Sequence, residues 1–133
     1  MGHSFSNKVI ESSFKGFPID SYGKTLEAFL ATKPNLFTSN FQFPIMVLKE
    51  KSLKNNIDQM ASFCKSVGAE LAPHVKTTMS PQIAQMQIDA GAWALTIANF
   101  WQAEIFRNFG FKKFLARHDC STRVATATIT TTT

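Results

Sequence analysis

The segment Pro73-His74-Val75-Lys76-Thr77 puts a primary amine where an apolar run gives way to hydroxyl-rich residues, Thr77, Thr78 and Ser80. A lysine at such a strand end can be partly desolvated. Desolvation lowers its pKa and frees the amine to attack a carbonyl carbon. The competing reading is a solvent-pointing lysine, which is what lysines at strand ends usually are. The hydroxyls favour the reactive one, because they can bind the polar substituents of a cofactor or a water. His74, two residues before the lysine, is either a participant or a core histidine satisfied by a backbone carbonyl.

Those residues have to be positioned by the elements around them. Ile45 to Leu48 reads as a buried strand. Ser52 to Val67 carries Leu53, Ile57, Met60, Cys64 and Val67 at helical spacing and is closed by Gly68. Ala69 to Val75 is a second strand. Ser80-Pro81 is a cap followed by a first-turn proline, opening a helix that ends near Gly91 with Ile83, Ala84, Met86, Ile88 and Ala90 as its apolar set. Trp93 to Ile97 is a third strand. Asn99 caps a further helix with Ala103, Phe106 and Phe109 on one face and Gly110 as its stop, and Lys113 to Ala116 is a fourth strand.

Strand alternating with helix, with near-continuous apolar strands, predicts an α/β fold with a parallel sheet and right-handed crossovers. Four strands make either a small open sheet or half of a β/α barrel, and the recurrent spacing favours the barrel. A complete barrel takes ~250 residues, and this chain has 133. Lys76 then sits at the carboxyl end of its strand, where barrel enzymes keep their chemistry.

The flanks differ. Tyr22 to Thr32 spaces Leu26, Phe29 and Leu30 as one short helix ending before Pro34, and Asn35 to Phe43 is turn-rich and aromatic, expected to pack across one end of the barrel. The expected organisation is an amino-terminal extension over 1–43, the first half of a barrel over 44–116, and a tail over 117–133. That tail has no core period and ends in Thr128-Ile129-Thr130-Thr131-Thr132-Thr133. Six histidine codons read one nucleotide out of frame would give such a run, so the barrel is expected to be truncated at Ala116.

Net charge is +5, with lysines and arginines dispersed rather than striped, which speaks against nucleic acid as a partner. No apolar run approaches membrane-spanning length and the amino terminus lacks a signal-peptide core, so no membrane partner is expected. Cys64 and Cys120 have no framework spacing, and a reducing, cytoplasmic location is the simplest expectation. Trp93, Trp101 and the phenylalanines are expected in the core, with some left exposed in a half barrel.

Leu71-Ala72-Pro73-His74-Val75-Lys76-Thr77-Thr78-Met79-Ser80-Pro81 resembles the lysine segment of the pyridoxal-phosphate-dependent alanine racemase N-terminal-type barrels (PLP fold type III). It is most similar to their D-threonine aldolase, D-serine dehydratase and amino acid deaminase-like branch. The stretch from Gln87 to Ala98, then Gln102-Ala103-Glu104, and Lys15-Gly16-Phe17-Pro18 resemble that branch in the same order.

The resemblance implies a lyase, deaminase or aldolase acting on a D-amino acid, with Lys76 forming the Schiff base with pyridoxal 5'-phosphate. Lys76 would also move the proton at the substrate α-carbon. His74 and Thr77 match cofactor-binding positions, while Thr96 matches a strand-end position and is equally ordinary strand packing. The whole protein would be a homodimer, and a divalent metal could serve it through a late His-x-Cys pair. His118-Asp119-Cys120 has those letters, but two ligands on a short loop do not fill a site, and no metal residues are assigned in this chain. Two other functions stay open. One is a non-catalytic pyridoxal-phosphate carrier; the other is an inert fragment whose phosphate-gripping loops and carboxyl-terminal β domain lie elsewhere.

Overall fold

The computed structural model describes residues 5–116, which fall into two compact units, 5–48 and 49–116.

The first unit is built on turns. An antiparallel bridge joins Val9 to Thr25, and Ile10 exchanges backbone bonds with its neighbours, donating to Lys24 O at 2.9 Å and accepting from Gly23 at 2.9 Å. A 3-10 turn spans Ile19–Ser21 and helix α1 spans Leu26–Ala31. The short helix expected from Tyr22 starts later because Gly23 is left-handed (φ +82°) and Thr25 is the cap, its hydroxyl accepting the Ala28 N–H at 3.2 Å. Ile10 and Phe29 are buried, and Phe17, Phe29 and Phe41 pack edge-on or tilted at centroid distances of 5.6 to 6.3 Å. The aromatic residues of the Asn35–Phe43 stretch thus include one, Phe41, that belongs to the core of this unit.

Ile45 to Leu48 is not the strand that its apolar run predicts. It pairs with no strand among the described residues, and Met46, Val47 and Leu48 are 95%, 51% and 67% exposed. A short apolar run becomes a buried strand only when neighbours take its backbone N–H and C=O groups. Here Ile45 closes instead on Gly16, so tightly that a Cβ at Gly16 would lie 2.7 Å from Ile45 Cδ1.

The second unit carries helix α2 (Glu50–Ser66), α3 (Pro81–Asp89), strand β1 (Leu95–Ile97), α4 (Phe100–Asn108) and strand β2 (Phe114–Ala116). The two strands pair in parallel, with Leu95 opposite Phe114, Thr96 opposite Leu115 and Ile97 opposite Ala116. Before them the chain from Leu71 to Val75 lies parallel to β1 on its other side, held by Trp93 N–H to Leu71 O, Thr96 N–H to Pro73 O and Val75 N–H to Thr96 O (2.8, 2.8 and 2.9 Å). The expected four strands are therefore two strands and an edge segment.

Pro73 explains why that edge forms only an isolated bridge. Alternate residues of the segment face β1, and Pro73 stands at one of them with no N–H to donate. A step of two residues along the segment, from Leu71 to Pro73, is matched by a step of three along its neighbour, from Trp93 to Thr96, so the ladder slips by one residue as at a β-bulge.

The core lies between this sheet and α3 and α4: Val75, Ala84, Leu95, Ile97, Ala103, Phe106 and Phe114 are all buried together. Both helices start as the sequence dictates. The Ser80 hydroxyl accepts the Ile83 N–H at 3.3 Å with Pro81 in the first turn, and Asn99 Oδ1 accepts the Gln102 N–H at 3.0 Å. Helix α2 buries no residue fully; Leu53, Ile57 and Cys64 are half-buried, while Met60 and Val67, expected in the same set, are exposed. Trp101 is likewise no core residue, being 65% exposed, and Trp93 is half-buried with Lys113 Nζ 5.8 Å from its ring centroid. No helix is long and apolar enough to cross a membrane among the described residues.

Candidate functional site

Val75 sets the orientation of the candidate site. Its side chain is buried among Leu95, Ile97 and Phe106 on the helix-covered side of the sheet. Successive strand residues point to opposite faces, so His74, bridged to Thr96, projects from the other face, and Lys76 opens the turn that follows. His74 is bridged to Thr96, and Thr96 is paired with Leu115, so these three stand abreast across the sheet. Lys76 follows immediately, past the hydrogen bond from Val75 to Thr96.

The turn beyond it is fixed by backbone. Met79, at φ +44°, donates its N–H to Val75 O at 2.9 Å, closing a single turn over Lys76, Thr77 and Thr78 before the Ser80 cap. The carboxyl end of β1 is held in a similar way. Buried Gln102 accepts the Ala98 N–H on its Oε1 at 2.8 Å, while its own N–H goes to Asn99. Lys76 thus lies at the end of the sheet from which α3 and α4 set out.

The structure brings His74, Lys76 and Thr77 together on one short stretch, and all three are exposed. The Lys76 backbone N–H points to His74 Nδ1 at 3.4 Å, a long contact that leaves the imidazole beside the lysine. His74 is thus not the core histidine of the alternative reading. Nor is Lys76 covered: the partial desolvation expected of it needs a lid that the described residues do not supply.

Thr96 is the reverse case. It is 7% exposed, and its hydroxyl donates to the Ala72 carbonyl at 2.6 Å. Sequence reading had this residue as strand packing or as a family position, and missed its bond to the edge segment. Pro73 signals only that the edge ladder lacks one donor; nothing in the sequence points to the Ala72 carbonyl as the partner of this hydroxyl.

A cleft of about 560 Å³ lies elsewhere. It opens between α2 and the amino ends of the strands, lined by Asp58, Cys64, Lys65, Leu71 and Ala92, and none of His74, Lys76 or Thr77 reaches it. Among the described residues no group of three or more His, Cys, Asp or Glu could hold a metal ion. His118-Asp119-Cys120 and the threonine-rich tail lie outside the described residues.

The chain is similar to three solved structures. D-threonine aldolase from Filomicrobium marinum is 25% identical over 64% of this chain and 23% of its own, with a TM-score of 0.59. D-threo-3-hydroxyaspartate dehydratase from Delftia sp. HT23 is 30% identical over 63% of this chain and 21% of its own, at 0.55. A variant of a D-threo-3-hydroxyaspartate dehydratase is 27% identical over 74% and 24%, at 0.61. No family model and no curated protein matches the chain. The resemblance read from the lysine segment to the D-threonine aldolase and D-serine dehydratase branch is borne out, and the chain spans about a quarter of the length of these structures.

Proposed function

We propose that this chain is part of a pyridoxal-phosphate-dependent enzyme acting on hydroxylated D-amino acids by elimination or carbon–carbon cleavage, with Lys76 as the amine that holds the cofactor. The observation that carries the reading is the placement of Lys76. It stands at the carboxyl end of a parallel edge segment, exposed and beside His74. Likeness to a D-threonine aldolase and to D-threo-3-hydroxyaspartate dehydratases supports the substrate class.

The residues present fit the aldehyde end of the cofactor. A primary amine reachable from solvent, an imidazole two residues away and the hydroxyls of Thr77 and Thr78 form one donor set. Bound there, the pyridinium ring would supply an electron sink for a carbanion. Lys76 Nζ takes and returns the proton at the substrate α-carbon. His74 orients the lysine or the ring from its place beside Lys76. Thr77 donates to polar substituents of the cofactor. The surrounding fold is the first part of a β/α barrel of the alanine racemase N-terminal kind. The whole protein is a cytoplasmic homodimer, and a divalent metal can serve it from residues beyond those described.

One observation favours a second reading for the chain by itself. His74, Lys76 and Thr77 are all exposed, and none of them lines the cleft beside α2, so the isolated polypeptide would hold the cofactor weakly and turn over nothing. Absorbance with added cofactor tests this, because a lasting visible band of bound cofactor would contradict an inert chain. Turnover of D-serine or D-threonine by the whole gene product, absent with the L-isomers, tests the lyase reading, and cofactor binding without turnover would point to a carrier instead.

A further inference from the structure

We infer that Thr96 is a positioning residue for Lys76, acting through the hydrogen bond from its hydroxyl to the Ala72 carbonyl; the functional half of this rests on the reading of Lys76 as the reactive amine.

The segment that carries Lys76 is attached to the sheet by few bonds. Three backbone bonds join it to the neighbouring strand, from Trp93, from Thr96 and to Thr96. A fourth is missing because Pro73 has no N–H where the ladder requires one. The Thr96 hydroxyl adds a separate tie, donating to Ala72 O at 2.6 Å in a site where the residue is only 7% exposed and water does not compete freely. Thr96 therefore contacts the segment three times: by its N–H to Pro73, by its carbonyl from Val75 and by its hydroxyl to Ala72. These contacts bracket His74, the residue bridged to Thr96, and end one residue before Lys76.

Only the hydroxyl contact can be removed by a side-chain change. Thr96→Val keeps the volume and β-branching of the side chain but leaves Ala72 O without its partner. The segment should then open locally more often, while the core formed by α3 and α4 is untouched. Losing one buried hydrogen bond corresponds to about 5- to 10-fold in a local opening equilibrium.

The test is amide exchange on the full chain by NMR, together with trapping of pyridoxal phosphate on lysine by borohydride. In Thr96→Val the Val75 amide should exchange about 5- to 10-fold faster relative to the Ala84 and Phe106 amides, and the yield of cofactor fixed on Lys76 should fall. Thr96→Ser should restore both. Ile97→Val, which loosens the core without touching the hydroxyl, should shift all three amides alike. A Val75 amide indifferent to the hydroxyl, or a serine variant that behaves as the valine one, overturns the inference. A wild-type chain that traps nothing on Lys76 overturns the site reading, and the exchange ratios then decide the structural part on their own.

Discussion

Val75 donates its backbone N–H to the Thr96 carbonyl at 2.9 Å, one residue before Lys76, and its own side chain is 1% exposed. The residue that anchors the segment in the core is thus also the one that sets where the turn carrying the lysine begins. Truncating it tests that coupling. Val75→Ala removes two buried methyl groups and should destabilise the second unit by about 2 kcal/mol, read as a lower urea midpoint with unchanged slope. An exposed neighbour, Thr78→Ala, should lie within about 0.5 kcal/mol of the parent chain.

The starts of α3 and α4 position the turns at the candidate site, and each depends on one side chain. Ser80→Ala and Asn99→Ala should each cost about 1 kcal/mol, and the glycine variants only a few tenths, in urea unfolding. Gln102→Ala should cost more, about 1 to 3 kcal/mol, because it leaves the Ala98 N–H without the acceptor it has at 2.8 Å in a buried setting.

How much of this was legible in the sequence follows from which interactions are local. The helix caps Ser80, Asn99 and Thr25 and the stops at Gly68, Gly91 and Gly110 (φ +66°, +104° and +93°) are set within a few residues, and all but the Thr25 cap could be read directly. Lys76 was legible because its neighbours resemble one enzyme branch. What failed was long-range. Ile45–Leu48 has the letters of a strand but no partner to receive its backbone groups, and an apolar period in α2 does not say whether Met60 and Val67 meet anything. The Thr96 to Ala72 bond spans 24 residues and shows no period at all.

Gly16 is a position where conformation and space coincide. Its φ is +89°, and an added Cβ would press on Ile45 Cδ1. Gly16→Ala should destabilise the first unit by about 1 to 2 kcal/mol from the backbone alone. Pairing it with Ile45→Ala should relieve the contact and leave that backbone cost, which Tyr22 resonances followed through urea unfolding would report. Full recovery in the double variant would contradict the conformational account.

The Glu50–Lys54 pair in the first turns of α2 gives a pH signature. The lysine's hydrogen bond and charge hold the Glu50 carboxyl below its usual 4.5, and the carboxylate holds Lys54 above 10.5. The glutamate's contribution is therefore present above pH 4.5 and is lost as pH falls through the lower folded value. The lysine's is present below pH 10.5 and lost as pH rises through the higher one. Both groups are exposed, so the effect is small and screened by salt. An NMR titration should show the Glu50 midpoint rising in Lys54→Ala.

The assignment of Lys76 is tested most directly by incubating the chain with pyridoxal phosphate, reducing with borohydride and mapping the modified peptide by mass spectrometry. The pyridoxyl mass should be found on Lys76 in preference to other exposed lysines such as Lys51 and Lys65, and should vanish from that peptide in Lys76→Ala. Uniform labelling across the exposed lysines, or a label centred elsewhere, would contradict it.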